Sequence, residues 1–238
     1  MVTMSDLANN IQSIKKRIQD AAIRTGRTPK EVKLVAVTKT VEPDIIKEAI
    51  VHDILCVGEN KVQEIERKYP SFDYDQYKHI AWHMIGNLQT NKVKYIIDKV
   101  SMIHSVDRYK LAAEINKQAQ KINKVVDVLV QVNISGEQSK FGISPEKCEE
   151  LVREISLLEH VKVRGLMTMA PFTKESEKAR PVFQKLKHLS IDIIEKNIDN
   201  ISMEYLSMGM TGDFEVAIEE GANIVRIGTG IFGKRIVQ

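Results

Sequence analysis

The chain carries the run LVAVTKT (Leu34–Thr40) near its N-terminus. Four apolar residues in succession predict a short buried strand, and Lys39 stands where that strand ends. An amine at such a position is partly desolvated, which disfavours its charged form. A neutral lysine amine is a nucleophile that forms an imine with an aldehyde. The alternative is that Lys39 only ends the strand and reaches water.

Short β-branched runs alternate with longer helical stretches along the rest of the chain. Most of the eight runs are apolar at consecutive positions, as expected of strands that are buried on both faces. The predicted strands span Val32–Val37, Ile54–Val57, His79–Ile85, Met102–Val106, Val126–Val132, Val161–Met169, Glu204–Met208 and Ile224–Ile227.

The stretches between these runs have the periodicity and the end signals of helices. One further helix precedes the first strand, and its isoleucines recur at helical spacing. The predicted helices span Ser5–Thr25, Pro43–Val51, Asn60–Lys68, Asn87–Ile97, Arg108–Lys121, Pro145–Leu157, Glu175–Lys196 and Phe214–Glu220.

Eight successive βα units within 238 residues predict an α/β protein of one domain, residues 1–238, folded as a closed (β/α)8 TIM barrel with an extra N-terminal helix. The alternative is an open, doubly wound sheet. It is disfavoured because the strands read as buried and no Gly-x-Gly-x-x-Gly turn follows the first of them. Active sites of such barrels lie at the C-terminal ends of the strands, which is where Lys39 stands.

The composition excludes several classes of function. The net charge is +3 and the lysines are spread along the helices, so no nucleic-acid surface is expected. No apolar run approaches the ~20 residues of a membrane span, and Met1–Asn10 has no signal-peptide core. Cys56 and Cys148 are expected to be reduced thiols, which fits the cytoplasm. No cluster has the spacing of a zinc or calcium site.

Two glycine loops follow the last two predicted strands, namely SMGMTGD (Ser207–Asp213) and GTG (Gly228–Gly230). Barrels of this kind often bind phosphate there, because glycine lets backbone N–H groups approach an anion closely. Strand one neighbours strand eight in a closed ring, so Lys39 is expected near both loops. An imine-forming lysine beside a phosphate site suits a phosphorylated aldehyde, either pyridoxal 5′-phosphate (PLP) or a phosphorylated sugar. The alternative is that these glycines only make tight turns.

Arg226 stands two residues before Gly228 and so shares its face of the strand. It is expected to donate to the pyridine nitrogen of PLP. Because arginine keeps its proton, that nitrogen would stay unprotonated and the ring would be a weak electron sink. The alternative is a barrel-layer arginine that pairs with a carboxylate, Glu204 or Asp213.

Eight segments follow the order and spacing of a known family. Together they resemble the pyridoxal phosphate homeostasis proteins, whose barrel is that of fold-type III PLP proteins and is similar to the N-terminal domain of alanine racemase. The resemblance covers essentially the whole chain. The segments are Val35–Thr40, Gly58–Glu64, Trp82–Lys92, His104–Arg108, Val132–Glu137, Gly165–Pro171, Leu206–Met210 and Val225–Thr229.

The resemblance implies that PLP is the cofactor, that Lys39 forms the Schiff base and that Arg226 faces the ring nitrogen. It implies that Asn60 and His83 line the pocket near the ring, although Asn60 can also serve as a helix cap and His83 as a wall residue. The implied phosphate-binding residues are Ser207, Gly209, Gly228 and Thr229, and Met208 is a further cofactor-binding residue.

Two positions depart from the family pattern. Asn87 stands where histidine is more usual, which leaves the role of its loop open, and Thr38 stands in place of serine, a mild change.

The resemblance implies a PLP carrier or regulator without an established catalytic activity, acting in PLP homeostasis. Binding and buffering of PLP are expected, and delivery to apo-enzymes is a further role that the resemblance leaves open. A racemase needs two acid/base groups, and the second one, a tyrosine of an additional domain, is not expected here. The alternatives are a slow racemase or amino-acid lyase, and an aldolase-like enzyme acting on a sugar phosphate. A monomer is expected.

Overall fold

Eight parallel strands form a closed barrel in the computed structural model, which describes residues 4–137 and 141–233. The strands are β1 (Lys33–Val37), β2 (Cys56–Glu59), β3 (Ala81–Met84), β4 (Met102–Val106), β5 (Val126–Gln131), β6 (Val161–Met167), β7 (Ile201–Ser207) and β8 (Ile224–Ile227). Each strand pairs with the next along the chain, and β8 pairs with β1 to close the ring. The predicted (β/α)8 barrel is confirmed, and the open sheet is excluded.

The helices alternate with the strands and surround the barrel. They are α1 (Met4–Arg24), α2 (Pro43–Val51), α3 (Val62–Lys68), α4 (Tyr109–Gln120), α5 (Pro145–Ser156), α6 (Arg180–Glu195), α7 (Phe214–Glu219) and α8 (Thr229–Phe232). Short 3-10 helices span Pro29–Glu31, Tyr69–Phe72, Asp75–Tyr77, Thr90–Tyr95 and Ser176–Ala179. The extra N-terminal helix is confirmed as α1.

Alternation along the strands separates two apolar cores. A small cluster fills the barrel interior, with Val35 of β1 and Ile224 of β8 among its members. A much larger cluster lies between the strands and the helices and includes their neighbours Ala36 and Val225. Strands that are buried on both faces explain why the sequence reads as continuous apolar runs.

Some predicted boundaries were wrong, because polar residues also join buried strands. Strand β2 was predicted to end at Val57 but extends to Glu59, which is fully buried against Lys68. The predicted helix Asn87–Ile97 is only a 3-10 helix over Thr90–Tyr95, since the segment is held by i→i+3 bonds such as that from the Ile96 N–H to the Val93 carbonyl oxygen.

Two more helices start later than predicted. Helix α3 begins at Val62 rather than Asn60, and the long stretch from Glu175 divides into a 3-10 turn followed by α6. Pro181 at the start of α6 favours this break, because a proline is best accommodated in the first turn of a helix.

Helix α1 covers one flank of the barrel and contacts the last two helices of the chain. Asn10 donates a hydrogen bond to the Ile231 carbonyl oxygen at 3.0 Å, and Ile14 lies so close that a Cβ on Gly230 would be 3.1 Å from its Cδ1. Because α8 has only four residues, it depends on such tertiary contacts for its position. Thus α1 holds the short helix that follows β8.

Gly165 allows β6 to approach β7 closely. Its φ is +152°, and a Cβ there would lie 1.9 Å from the Tyr205 carbonyl oxygen. We expect Gly165→Ala to lower the free energy of unfolding by about 3 kcal/mol or more, because backbone strain and overpacking add. Urea denaturation followed by circular dichroism measures this change.

Gly26→Ala provides the matched control. Gly26 also has a positive φ, +70°, but nothing lies within 4 Å of the added Cβ. We therefore expect a loss of only about 1 kcal/mol, from backbone conformation alone. Equal losses in the two variants would contradict the close approach of β6 and β7.

Candidate functional site

Lys39 lies in a tight turn directly after β1, at the carboxyl rim of the barrel. The turn is closed by a hydrogen bond from the Val41 N–H to the Thr38 carbonyl oxygen at 2.9 Å. Thr40 adopts a φ of +63°, a left-handed conformation that costs a non-glycine residue about 1–3 kcal/mol. Lys39 itself is half-buried in this turn.

The loop after β8 begins beside the end of β1. The register pairs Ala36 with Ile227, so Gly228 comes level with Val37. A Cβ on Gly228 would lie 3.4 Å from the Val37 Cβ, which is ordinary van der Waals contact. Closure of the ring therefore brings the loop that follows β8 to the strand end that bears Lys39.

Hydrogen bonds join the two glycine loops to each other. The Thr211 hydroxyl accepts a hydrogen bond from the Gly230 N–H at 3.2 Å and lies 3.2 Å from the Thr229 hydroxyl. The backbone N–H of Arg226 donates a hydrogen bond to the Gly209 carbonyl oxygen at 3.0 Å. The loops after β7 and β8 thus form one continuous surface at the rim.

A chain of polar side chains crosses the barrel interior one layer nearer the rim than the small apolar cluster. Arg226 donates to the Ser207 hydroxyl, and also to the Thr168 carbonyl oxygen at 2.8 Å. The Ser207 hydroxyl lies 3.0 Å from His104 Nδ1, and His104 Nε2 lies 2.8 Å from His83 Nδ1. All four side chains are buried, so they satisfy one another instead of being hydrated.

Arg226 sets the direction of the hydrogen bonds in this chain, because a guanidinium can only donate. Because the Ser207 oxygen accepts a hydrogen bond from Arg226, the Ser207 proton is free to be donated to His104 Nδ1. His104 Nε2–H then donates to His83 Nδ1, and both imidazoles are neutral. This tautomer assignment follows from the hydrogen-bond network.

Burial accounts for the charge state of these groups. It lowers the pKa of His83 to about 3 and that of His104 well below its usual value, with the neighbouring cations adding to the effect. It also lowers the pKa of Arg226 to about 10, while the nearby Asp213 opposes that change. At neutral pH the layer therefore holds one cation, Arg226, and two neutral imidazoles.

Carboxylates near Arg226 have other partners. Glu204 forms an ion pair with Arg164, and Asp213 Oδ1 accepts a hydrogen bond from the Met210 N–H at 2.6 Å. Among the described residues neither carboxylate forms an ion pair with Arg226, and the alternative prediction of such a pair is supported only by the Coulombic effect of Asp213 on the pKa of Arg226. The side-chain hydrogen bonds of Arg226 go to uncharged oxygens.

Asn60 follows β2 and is half-buried at the rim. Gly86, in the loop after β3, packs on its backbone so tightly that a Cβ would lie 2.2 Å from the Asn60 carbonyl oxygen. Met208 is placed differently, since its side chain is buried in the core between strands and helices. Only the backbone of Met208 can therefore face a ligand in the barrel.

Three further residues complete the site and were not predicted from the sequence. His104 joins His83 to Ser207, the Thr168 carbonyl oxygen receives Arg226, and the Thr211 hydroxyl joins the glycine loops. His104 had a signal, because it is a polar residue inside the apolar run of β4. The other two act through contacts that no local pattern encodes.

Residues 4–137 and 141–233 contain neither a membrane-spanning helix nor a metal cluster. None of the described helices is long and apolar enough to cross a membrane. The same residues contain no group of three or more His, Cys, Asp or Glu that could hold a metal ion. Cys56 and Cys148 are buried free thiols, and burial raises the pKa of each to about 12, so neither is a reactive thiolate.

Comparisons with known proteins agree with this geometry. The family model for the alanine racemase N-terminal domain matches residues 2–235. A pyridoxal phosphate homeostasis protein from Aquifex aeolicus (strain VF5) is 48% identical over 226 residues, which is 94% of this chain and 96% of the relative. The protein of the same name from Escherichia coli (strain K12) is 37% identical over 233 residues, 98% of each chain. The structure of PipY from Synechococcus elongatus PCC7942 with PLP bound has a TM-score of 0.82 at 27% identity, and the match covers 95% of this chain and 100% of PipY.

Fold and site together define a barrel of the alanine racemase N-terminal domain class. The sequence identity to the two curated relatives extends over nearly the whole chain and so indicates one family within this class. The chain belongs to the pyridoxal phosphate homeostasis protein family. The family that the sequence motifs predicted is confirmed.

The buried imidazoles make stability depend on pH. His83 and His104 stay neutral in the folded protein, whereas in the unfolded chain they take up protons below pH ~6.5. Stability is therefore lost as the pH falls through that value. We expect each histidine to contribute a loss of about 2 kcal/mol between pH 7 and pH 5, measurable by urea denaturation at the two pH values.

Replacement of both residues by glutamine (His83→Gln with His104→Gln) should remove most of this dependence, whatever its effect at pH 7. His188→Gln is the matched control, because His188 is exposed on α6 and its loss should leave the dependence unchanged. An unchanged pH dependence in the double variant would show that the two imidazoles are not held neutral.

Proposed function

We propose that the protein binds PLP at the carboxyl rim, with Lys39 as the point of covalent attachment, and that residues 1–238 act as a single PLP-binding domain in PLP homeostasis. The observation that carries this proposal is the β1–β8 seam, which sets the Lys39 turn beside the loop of Gly228. An amine for the aldehyde and a glycine loop for the phosphate therefore adjoin each other.

The donor set at the rim fits the chemistry of PLP. The backbone N–H groups of Gly209, Gly228 and Thr229 and the Thr229 hydroxyl supply hydrogen bonds of the kind that a phosphate accepts. The Ser207 hydroxyl would join them only by giving up its hydrogen bond to His104. The Met208 backbone belongs to the same loop, and Arg226 supplies N–H donors suited to an aromatic nitrogen. Asn60 and His83 come from β2 and β3 and would border the ring.

The chemistry at Lys39 follows from its amine. PLP supplies an electrophilic aldehyde and an electron-withdrawing ring when it is bound. Lys39 would hold the cofactor through its amine, and this condensation would release one water molecule and need no oxidant or reductant. The strained turn at Thr40 fixes the backbone that presents this nitrogen.

The proposal makes the protein a carrier or regulator of PLP without established catalysis. Arg226 stays protonated at neutral pH, so it can donate to a ring nitrogen but not protonate it, which weakens carbanion stabilisation. The curated relatives are named for homeostasis rather than for a reaction, and PipY has been solved with PLP bound. These facts support buffering of a reactive aldehyde.

Further parts of the proposal concern partners and place. We propose that apo-enzymes that use PLP receive it from this protein, and that the protein acts as a monomer. We also place it in the cytoplasm, a compartment in which free thiols such as Cys56 and Cys148 stay reduced.

Lys39→Ala tests the attachment point. In the wild-type protein loaded with PLP, borohydride reduction should fix the cofactor on the peptide that contains Lys39, as detected by mass spectrometry. In Lys39→Ala this modification should fall to background, because no other amine is expected at that position, while phosphate-dependent binding persists.

Lys33→Ala is the matched control, because Lys33 begins the same strand and its Nζ lies 4.9 Å from the centre of the Tyr205 ring, at the other end of the barrel. After borohydride reduction the Lys33→Ala variant should carry PLP on Lys39, as the wild type does. Fixation of PLP elsewhere than Lys39 in the wild type would overturn the proposal.

Thr229→Ala tests the phosphate site. The loss of one hydroxyl that bonds to a charged group should weaken PLP binding by about 1–3 kcal/mol. Pyridoxal, which has no phosphate, should bind the variant and the wild type equally well. Fluorescence titration gives the dissociation constants of both proteins for PLP and for pyridoxal. If the variant binds PLP and pyridoxal more weakly by the same factor, Thr229 does not contact the phosphate.

A further inference from the structure

A second lysine, Lys68, contacts the turn that contains Lys39 from the side of the helices. The proposed function gives Lys68 no role. Lys68 is the last residue of α3, and its side chain is fully buried. Its Nζ donates a hydrogen bond to the Thr38 carbonyl oxygen at 2.7 Å. That oxygen belongs to the peptide unit joined to the nitrogen of Lys39, so Lys68 contacts the backbone directly before the amine-bearing residue.

All three donors of the Lys68 ammonium have acceptors. Besides the Thr38 carbonyl oxygen, they are Glu59 Oε1 at 2.7 Å and Glu64 Oε2 at 2.8 Å. An ammonium with three short hydrogen bonds to fixed acceptors has no freedom of orientation. The Lys68 ammonium therefore fixes the position of the Thr38 carbonyl group.

Glu59 completes a closed set of contacts around the turn. Its Oε1 accepts a hydrogen bond from the Thr38 hydroxyl at 2.7 Å as well as from Lys68, so both the backbone and the side chain of Thr38 are tied. Burial raises the pKa of the Glu59 carboxyl, and the Lys68 ammonium opposes that rise. The other carboxyl oxygen, Oε2, is buried and has no hydrogen-bond partner among the described residues.

A fully buried lysine and glutamate are unusual, and a buried pair of this kind is weak support for stability. An unsatisfied carboxylate oxygen adds a further cost. The pair lies against a turn that already contains a strained residue, Thr40. Polar groups kept at such a cost beside a functional residue point to a positioning role.

We propose that Lys68, acting with Glu59 through Thr38, is a positioning residue that holds the Lys39 turn in the geometry required for covalent attachment of PLP. This inference rests on the proposed function of Lys39. Lys68 itself touches no reacting atom. Its effect is to keep Nζ of Lys39 within bonding reach of the aldehyde, and a misplacement of about 1 Å can lower such a reaction about a hundredfold.

The test uses the double variant Lys68→Met with Glu59→Gln in the full-length chain. The double replacement removes the ammonium without leaving an unpaired buried charge, and the new Gln keeps an acceptor for the Thr38 hydroxyl. PLP is added, and two quantities are measured: total binding, and the fraction that borohydride fixes on Lys39. We expect the fixed fraction to fall roughly tenfold or more while PLP still binds through its phosphate.

Lys124→Met is the matched control. Lys124 also ties backbone, through hydrogen bonds to the carbonyl oxygens of Ile97 at 3.0 Å and Val100 at 2.7 Å, but it precedes β5 and so lies at the opposite end of the barrel. If Lys68 were only structural, the double variant and Lys124→Met would both have a lower melting temperature and an unchanged fixed fraction. We expect Lys124→Met to lower only the melting temperature.

A folded double variant with the wild-type fixed fraction would overturn the positioning role while leaving the proposed function intact. Failure of the wild type to attach PLP at Lys39 would overturn both. A second pair of variants keeps the test decisive if the double variant does not fold. Thr38→Val removes the hydroxyl that donates to Glu59 Oε1 at 2.7 Å and lies 3.4 Å from the Gly58 carbonyl oxygen, and it should lower the fixed fraction severalfold. Thr38→Ser keeps the hydroxyl and should match the wild type.

Discussion

The pairing of β8 with β1 is the constraint on which the rest of this structure depends. It joins the two ends of a chain of 238 residues, and its register, with Val35 opposite Arg226, fixes the level at which both strands end. Because of that register, Gly228 touches Val37 and the turn of Lys39 lies beside the loop after β8. A single seam thus brings the lysine that follows β1 and the glycine loop that follows β8 together from distant parts of the sequence.

Burial then determines the chemistry at that rim. A cation that stays charged, Arg226, and two imidazoles that stay neutral occupy one layer of the barrel, and each is satisfied by its neighbours rather than by water. The ionic contacts of Lys68 lie on the other face of the β1 end, against the helices. The Lys39 turn is therefore supported from the wall side, while its partner loop is held by α1 through Asn10. Both supports serve to place atoms and do not react.

The sequence predicted the barrel because strands buried on both faces leave continuous apolar runs, and these are visible without a structure. It also located Lys39 and the glycine loops, since the carboxyl ends of barrel strands are known from strand order alone. Prediction failed where partners come from other elements of the fold. Glu59 ends β2 buried against Lys68 of the helix that follows, and His104 is bonded to Ser207, which lies 103 residues away. Such pairs have no local pattern, because tertiary packing creates them.

A crystal structure of the protein soaked with PLP tests the attachment at Lys39 most directly. We expect continuous density from Lys39 Nζ to the aldehyde carbon, with the phosphate against Gly228 and Thr229 and the ring nitrogen toward Arg226. Density for PLP that joins another lysine, or a phosphate that lies away from the loops after β7 and β8, would contradict this expectation.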